Sequence, residues 1–261
     1  MYYLGNIKKV IIIFVIFTFN HILPIYAQDE HTVLLYTFEE FDGNTINDLS
    51  EKKNNGKIMG AKLGAGKFRR GIVFGGDEQE GFVEIPDNDS LDFVDGFTVE
   101  MWLYLNSPSS GGGTGVTKSS TYKVGPRNNL KLELRIATTS TAFGQGGLLS
   151  ETDLPLRKWV HIAGSYDAIS GDAKLYVDGE LENEKNIGGE ILPNDSVLWL
   201  GRGGNPFLHG SLDDVRISNI PRTQKEIQKL MEIGIDGVLA VYPNDKFTTK
   251  WGVLKNSIIS N

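Results

Sequence analysis

The chain contains no cysteine among its 261 residues and only four histidines. Without cysteine it has no disulfide bond, no thiolate metal site, no cysteine nucleophile and no cysteine to carry a lipid anchor. It also lacks the H-E-x-x-H motif of metalloproteases and the G-x-S-x-G motif of serine hydrolases. These absences exclude the commonest sequence signatures of hydrolytic enzymes.

The chain also lacks an excess of positive charge. Lysine and arginine number 26 against 33 aspartates and glutamates, which gives a formal net charge of −7. Nucleic acids and anionic membranes bind basic patches, so neither is an expected partner. An acidic surface is compatible with cation binding.

Only one long apolar run is present, at 10–19, and Lys8 and Lys9 precede it. This pattern predicts a signal peptide at 1–27, cleaved after Ala27, because the run is too short to span a membrane comfortably. The alternative is that the segment stays uncleaved as an anchor. Removing the two lysines changes the formal net charge from −7 to −9. Export without disulfide bonds favours a secreted or extracytoplasmic bacterial protein that is free of the membrane after cleavage.

Alternation with a period of two predicts an all-β fold with about ten strands. In the strand at 97–105, Phe97, Val99, Met101 and Leu103 are expected on the core face. Asp178-Gly179 predicts a tight hairpin turn with positive φ angles. The polar stretches 41–60 and 107–117 are expected to be surface loops.

One helix is predicted near the end of the chain. Thr223 and Glu226 form a capping box, and Ile227, Leu230 and Met231 form one apolar stripe. Gly234 is the expected C-terminal stop.

The order of several short motifs resembles the LamG-like jellyroll, a member of the concanavalin A-like lectin/glucanase group. These motifs are YTFE at 36–39, DLS at 48–50 with NG at 55–56, FTVEMW at 97–102, WVHIA at 159–163 with YD at 166–167, LYVDG at 175–179, LWLG at 198–201 and GSLDDVRI at 210–217. The resemblance implies a two-sheet antiparallel jellyroll sandwich with one short C-terminal helix. The domain is expected at 28–236, followed by a tail of unknown role at 237–261.

This fold hosts lectins, structural modules and glycosidases, so the resemblance does not decide the function. The leading hypothesis is a secreted, non-catalytic binding module that recognises glycans or extracellular and surface proteins. The alternatives are a glycoside hydrolase of the same fold and a structural module that assembles at the cell surface.

The resemblance also implies a structural calcium ion between the first strand, the loop that follows it and the closing strand. The matching oxygen ligands are Glu39, Asn44, Asp48 and Asp213, although relatives more often have aspartate at the position of Glu39. Calcium needs six to eight such oxygens. The alternative is that Glu39 and Asp48 are solvated loop acids and that Asp213 caps backbone amides. Asp214, the next strand residue, is expected to point to the opposite side.

A retaining glycosidase needs two carboxylates about 5 Å apart. Related glucanases carry them alternately on one strand, and the nearest pattern here is Glu180, Glu182 and Glu184. Because these glutamates follow the Asp-Gly turn, we expect them to line a solvent-facing edge. Glu100 and Glu133 are single acids on separate strands. The sequence therefore predicts a binding protein rather than an enzyme.

Ligand recognition would use aromatic rings that stack on sugar rings, with polar neighbours that orient the hydroxyl groups. Each available ring has packing within the fold as its alternative role. The candidate ligand-binding aromatics are Trp102, Tyr104, Tyr122, Trp199 and Phe207.

Overall fold

Alternating apolar residues organise the described part of the chain into strands, and one helix follows them. The computed structural model describes residues 29–108, 114–145, 147–204 and 206–241, with the backbone alone for 236–241. In chain order the strands are β1 Thr32–Tyr36, β2 Phe41–Asp42, β3 Thr45–Ile46, β4 Gly56–Met59, β5 Lys62–Ala65, β6 Arg70–Gly75, β7 Phe82–Ile85, β8 Gly96–Leu105, β9 Val116–Lys118, β10 Tyr122–Pro126, β11 Lys131–Ile136, β12 Gly147–Asp153, β13 Trp159–Asp167, β14 Asp172–Val177, β15 Glu180–Asn186, β16 Leu198–Leu200 and β17 His209–Ser218. The helix is α1, Gln224–Val241.

The strands form two antiparallel sheets. Sheet A has the order β15-β14-β13-β8-β17-β6-β5, and sheet B has the order β12-β11-β10-β9-β16-β7-β4-β3-β2. β6 pairs with the first half of β17, and β1 pairs with its second half. This two-sheet architecture confirms the predicted all-β sandwich.

The core lies between the two sheets. Phe97, Val99, Met101 and Leu103 of β8 are fully buried in it, as their alternation predicts. Gly164 of β13 faces sheet B so closely that a Cβ atom there would lie 2.9 Å from a methyl group of Val124. The sheets can approach this closely because glycine has no side chain at that position.

Helix α1 forms a third layer on the outer face of sheet A. Its N-terminus has the predicted capping box, since Glu226 Oε2 accepts hydrogen bonds from the backbone N–H and the hydroxyl of Thr223 at 2.9 and 2.7 Å. Ile227 packs against Ala163 and Tyr176 of sheet A. Leu230 packs against Leu35 in a separate cluster.

Gly234 interrupts α1 rather than ending it. Its φ of 65° and ψ of 169° are not helical, which agrees with the expected stop, but the helical backbone resumes and continues to Val241. The predicted tail at 237–261 lies outside the described residues beyond 241, as does the predicted signal peptide at 1–27. In the described ranges, no helix is long and apolar enough to cross a membrane.

The Asp178-Gly179 turn is confirmed, with φ angles of 48° and 77°. The expected surface loop at 41–60 is wrong. The stretch 41–60 contains β2, β3 and β4, and it buries Asp48 and Asn54 because their polar groups bond to the backbone. The other expected loop, at 107–117, is too long by two residues, since Val116 and Thr117 belong to β9 in the middle of sheet B, and its part at 109–113 lies outside the described residues.

Candidate functional site

The two outer sheet faces differ in what covers them. On sheet A, α1 and the turn at 66–70 cover the outer face, so Thr98, Glu100 and Trp102 are buried although they point away from the core. The one described α-helix lies on sheet A. On sheet B, Arg135, Trp199, Glu84 and Lys57 remain partly or largely exposed, whereas Lys123 and Thr117 between Arg135 and Trp199 are buried, at 9% and 4% exposure. The outer face of sheet B is therefore the candidate functional site.

A continuous row of polar side chains crosses this face. Each member alternates with core residues on its own strand, so it points outward, and each is the register partner of the next on the adjacent strand. Trp199, between the core residues Leu198 and Leu200, is the aromatic member of the row. In spatial order the row is Arg135, Lys123, Thr117, Trp199, Glu84 and Lys57.

The indole of Trp199 is half-buried and has polar partners. Its Nε1–H donates a hydrogen bond to Glu84 Oε2 at 3.3 Å. The Arg202 guanidinium lies 4.5 Å from the Trp199 ring centroid, and it also lies 4.8 and 5.5 Å from the rings of Phe82 and Phe207. An aromatic ring framed by charged groups can hold a ligand that has one apolar face and several hydroxyl groups.

A cluster of charges around Glu133 lies at the other end of the row. The Glu133 carboxylate contacts Arg135 at 2.6 Å, Lys123 at 3.1 Å and Arg127 at 3.4 Å. Burial tends to raise the pKa of Glu133, but Lys123 and Arg135 outweigh it and hold the pKa below its usual value. Glu133 is therefore ionised at neutral pH.

Of the five candidate aromatics, three are buried: Tyr122, Trp102 and Phe207. Tyr122 is fully buried in the core, where its ring packs against Phe93 and Phe97, so it cannot stack on a ligand. Trp102 is 7% exposed, with Lys67 Nζ 4.1 Å from its ring centroid and the edge of Phe68 against it. Strand alternation placed Trp102 on an outer face correctly, but it could not reveal that this face is covered.

Trp199, Phe207 and Tyr104 lie in two places. Trp199 lies in the row on sheet B. Phe207 lies beside it but is only 6% exposed, so it is corrected like Trp102. Tyr104 lies on sheet A, where its ring is 5.5 Å from that of Trp159, and both rings are half-buried. Trp159 and Tyr104 form the second aromatic surface of the domain.

The four candidate calcium ligands are not brought together. Asp48 is buried, and its carboxylate accepts hydrogen bonds from the backbone N–H groups of Leu35, Ser50 and Asn54 at 2.8 to 2.9 Å. Asn44 is exposed, and its backbone carbonyl accepts the N–H of Ile58 at 2.7 Å.

Glu39 and Asp213 do share one environment, the turn at 66–70. Glu39 Oε1 accepts the backbone N–H of Arg70 at 2.7 Å, and Asp213 Oδ2 accepts that of Phe68 at 3.0 Å. Within the described ranges, no three histidine, aspartate or glutamate side chains form a group that could hold a metal ion. As they are arranged in the structure, the four candidate residues do not form a calcium-binding site, and the ion stays a prediction.

The calcium hypothesis predicts a higher melting temperature in Ca²⁺ than in EDTA, because a ligand that binds only the folded state stabilises it. Thermal unfolding followed by circular dichroism measures this directly. Equal melting temperatures in the two buffers would refute a stabilising ion.

Asp213 and Asp214 lie where β17 changes its partner from β6 to β1. The register of β17 against β8 shifts between Asp213 and Arg216, and Asp214 has a φ of 45°. This bulge breaks the alternation that was expected to separate the two carboxylates. Asp214 Oδ2 instead accepts the backbone N–H of Ile235 at 2.8 Å, at the interruption in α1.

Burial raises the pKa of both of these acids. Burial raises the pKa of Asp213 to about 6, partly opposed by the backbone amides that bond to it. Burial and then the charge of Asp213 raise the pKa of Asp214 to about 7.

The three glutamates of β15 each bond to a different element. Glu180 accepts hydrogen bonds from Gln224 and Gln228 of α1, Glu182 accepts from Thr152 of β12, and Glu184 pairs with Lys174 of β14 at 3.4 Å. β15 is the edge strand of sheet A, as predicted. Each glutamate thus has a structural role that accounts for it.

Comparison with known proteins agrees with the sandwich. The family model for the concanavalin A-like lectin/glucanases superfamily, Laminin_G_3, matches residues 77–228. The chain belongs to this superfamily. Human pentraxin-related protein PTX3 is 29% identical to the concanavalin A-like chain over 85 residues, which are 30% of the chain and 22% of PTX3. The chain thus matches about a fifth of this relative's length.

Solved structures share the fold of this concanavalin A-like domain. The binding domain of Paraclostridial Mosquitocidal Protein 1 aligns with a TM-score of 0.64 and 16% identity over 80% of the chain and 52% of its own length. Domain 4 of AbnA, a GH43 extracellular arabinanase from Geobacillus stearothermophilus solved with arabinotriose, has a TM-score of 0.60 and 18% identity over 78% of the chain and 98% of its own length. The binding domain of botulinum neurotoxin DC, solved with SialylT, has a TM-score of 0.57 and 13% identity over 80% of the chain and 52% of its own length.

Sequence reasoning missed most of the row on sheet B. Lys123 alternates with the core residues Tyr122 and Val124, and Glu84 alternates with Val83 and Ile85. The sequence alone could therefore predict that both side chains point outward. Their alignment in one row with Trp199 could not be predicted, because it depends on pairing between strands that lie far apart in the chain.

Proposed function

We propose that this concanavalin A-like domain is a non-catalytic glycan-binding module, and that the outer face of sheet B is its binding surface. The observation that carries the proposal is the row across this face, in which the half-buried Trp199 lies beside the partly exposed Glu84, while Thr117 on its other side is buried. A sugar ring has apolar C–H faces that pack on indole, and its hydroxyl groups bond to neighbouring polar side chains.

The fold neighbours support this proposal. The arabinanase domain was solved in complex with arabinotriose, and nearly its whole length aligns with the chain. The two toxin neighbours are described as binding domains. None of these names describes a catalytic domain, which favours binding over hydrolysis for this chain.

Substituting Trp199 tests the binding surface. We expect Trp199→Ala to weaken glycan binding by at least about tenfold, because a central tryptophan is a typical energetic anchor of a binding surface. A glycan array identifies a bound saccharide first, and isothermal titration calorimetry then compares its affinity for the wild-type protein and the variant.

Trp159→Ala is the matched control, since it removes an equally half-buried tryptophan from sheet A. Circular dichroism confirms that both variants fold. Loss of binding in Trp159→Ala alone would move the site to the Tyr104–Trp159 surface. If the wild-type protein binds no glycan on the array, that result would contradict glycan binding and favour an extracellular protein partner or a structural module.

We also propose that the module acts outside the cytoplasm, as the apolar run at 10–19 predicts. Fractionation of the producing cells and N-terminal sequencing of the protein test this. We expect a mature protein that begins at residue 28. An uncleaved chain in the cytoplasm would contradict export.

A further inference from the structure

The cluster around Glu133 contains more positive charge than its one carboxylate can neutralise. Lys123, Arg127 and Arg135 all lie within 3.4 Å of Glu133, which leaves an excess of two positive charges. The next outward residue of β11, Lys131, is already paired with Asp153 at 2.7 Å. The excess therefore belongs to the cluster itself.

This excess stands out in an acidic protein. The whole chain has a formal net charge of −7, so a basic cluster on one face is not a consequence of composition. Arg202 adds a further cation beside Trp199 on the same face. The face thus carries a charge opposite to that of the protein as a whole.

Two side chains of the cluster are largely buried, and the other two are partly exposed. The side chain of Glu133 is 1% exposed and that of Lys123 is 11% exposed, whereas those of Arg135 and Arg127 are 27% and 39% exposed. Burial lowers the pKa of Lys123, and the nearby Arg135 and Arg127 lower it further, although Glu133 opposes them. An added anion would relieve this repulsion among the cations.

The chemistry of the cluster selects a class of ligand. Arginine guanidinium groups form paired hydrogen bonds with the oxygens of carboxylate and sulfate groups, which hydroxyl groups cannot match. Lys123 lies two strands from Trp199 along the row, a separation of about 10 Å. One ligand that reaches both must be longer than a single sugar ring.

We propose that the ligand is an acidic oligosaccharide, whose carboxylate or sulfate group is bound by Arg127, Arg135 and Lys123 while a neighbouring sugar ring packs on Trp199. This inference rests on the proposed glycan-binding function. It adds the chemical class of the glycan and the residues that select it.

Paired ligands that differ only in the anionic group provide the test. The array includes 3′-sialyllactose, 3′-sulfolactose and lactose, together with other acidic glycans beside their neutral parents. We expect acidic members to bind and their neutral parents to bind at least about tenfold more weakly, with affinity falling as salt increases. The carboxylate and sulfate arms then show which anion is preferred.

Two double variants localise the effect. Arg127→Gln/Arg135→Gln removes two cations from the cluster and leaves Lys123 to pair with Glu133, so we expect about tenfold weaker binding of the acidic ligand. Lys158→Gln/Lys225→Gln removes two exposed cations from the sheet A side of the domain, and we expect it to bind like the wild-type protein.

The possible outcomes separate this inference from the function on which it rests. Equal binding of acidic glycans and their neutral parents, with loss in Trp199→Ala, would overturn the acidic preference and leave glycan binding in place. Equal weakening by both double variants would show a general charge effect and would also overturn it. Absence of all glycan binding would overturn both proposals.

Discussion

Replacing Arg216 with methionine is expected to destabilise the domain by about 3 to 5 kcal/mol, which is the usual cost of removing one partner of a buried ion pair. Arg216 is fully buried beneath α1, and its Nε–H donates to Glu100 Oε1 at 2.7 Å. Burial raises the pKa of Glu100, and the charge of Arg216 opposes that rise. Without Arg216, the Glu100 carboxylate is left in the interior without its cation.

His161 is not a second counter-ion of Glu100 in the wild-type fold. Its Nε2 lies 3.7 Å from Glu100 Oε2, but burial and then the charge of Arg216 lower the pKa of His161 to about 3. The imidazole is therefore neutral at physiological pH, and the contact is not an ion pair.

Thermal and urea unfolding measure the effect of Arg216→Met, for which we expect a fall in melting temperature of about 6 to 20 °C. Lys174→Met is the matched control, because it breaks the exposed pair with Glu184 in the same sheet and should cost at most about 0.5 kcal/mol. In the double variant Glu100→Gln/Arg216→Met, we expect much of the lost stability to return. Equal, small losses in Arg216→Met and Lys174→Met would contradict this account of the buried pair.

Asp214→Asn is expected to stabilise the domain at pH 8. The pKa of Asp214 is raised from 3.8 to about 7, so the folded state binds more protons than the unfolded state between these pH values. Stability contributed by this group is therefore lost as pH rises through 7. Asparagine carries no charge, its side-chain oxygen can still accept the Ile235 N–H, and it tolerates the φ of 45° at this position. The gain at pH 8 is up to about 4 kcal/mol, at about 1.4 kcal/mol for each pKa unit.

The pH range from 6.5 to 8 separates the contribution of Asp214 to stability from that of His161. The pKa of His161 is lowered from 6.5 to about 3 in the folded state, so between these pH values the unfolded state binds the additional proton. The stability contributed by His161 therefore rises with pH below 6.5, opposite to that contributed by Asp214. In EDTA, we expect the melting temperature of the wild-type protein to fall from pH 6.5 to 8 and that of Asp214→Asn to fall less.

Asp42→Asn is the control for the pH experiment, since it removes one negative charge from an exposed position. We expect its melting temperature to follow that of the wild-type protein across this pH range. A melting temperature of Asp214→Asn below that of the wild-type protein at pH 8 would contradict the raised pKa that burial and the charge of Asp213 give to Asp214.

Much of the fold was predictable from local pattern. The alternation of Phe97, Val99, Met101 and Leu103 identified core positions, and the spacing of Thr223 and Glu226 identified the start of α1. These signals depend on residues that are close in the chain, and for that reason a single sequence reveals them.

The candidate site was less predictable, because it depends on the third layer and on strand pairing. Glu100 and Trp102 have the outward alternation of exposed residues, and only the position of α1 and of the turn at 66–70 explains why they are buried. Conversely, Trp199 was named as a candidate aromatic, but its neighbours Thr117 and Glu84 come from strands distant in sequence. The bulge at Asp214 had no local signal, since its positive φ follows from the change of partner along β17.

The most direct test of glycan binding on sheet B is a nuclear magnetic resonance titration of the ¹⁵N-labelled protein with a saccharide selected on the array. The chain has four tryptophans, so the indole N–H signals can be assigned by substitution. We expect the saccharide to shift the Trp199 indole signal and the backbone amide signals of Thr117 and Lys123, while those of Trp102 and Trp159 stay in place. Shifts confined to Trp159 and Tyr104, with Trp199 unmoved, would contradict the assignment of the binding face.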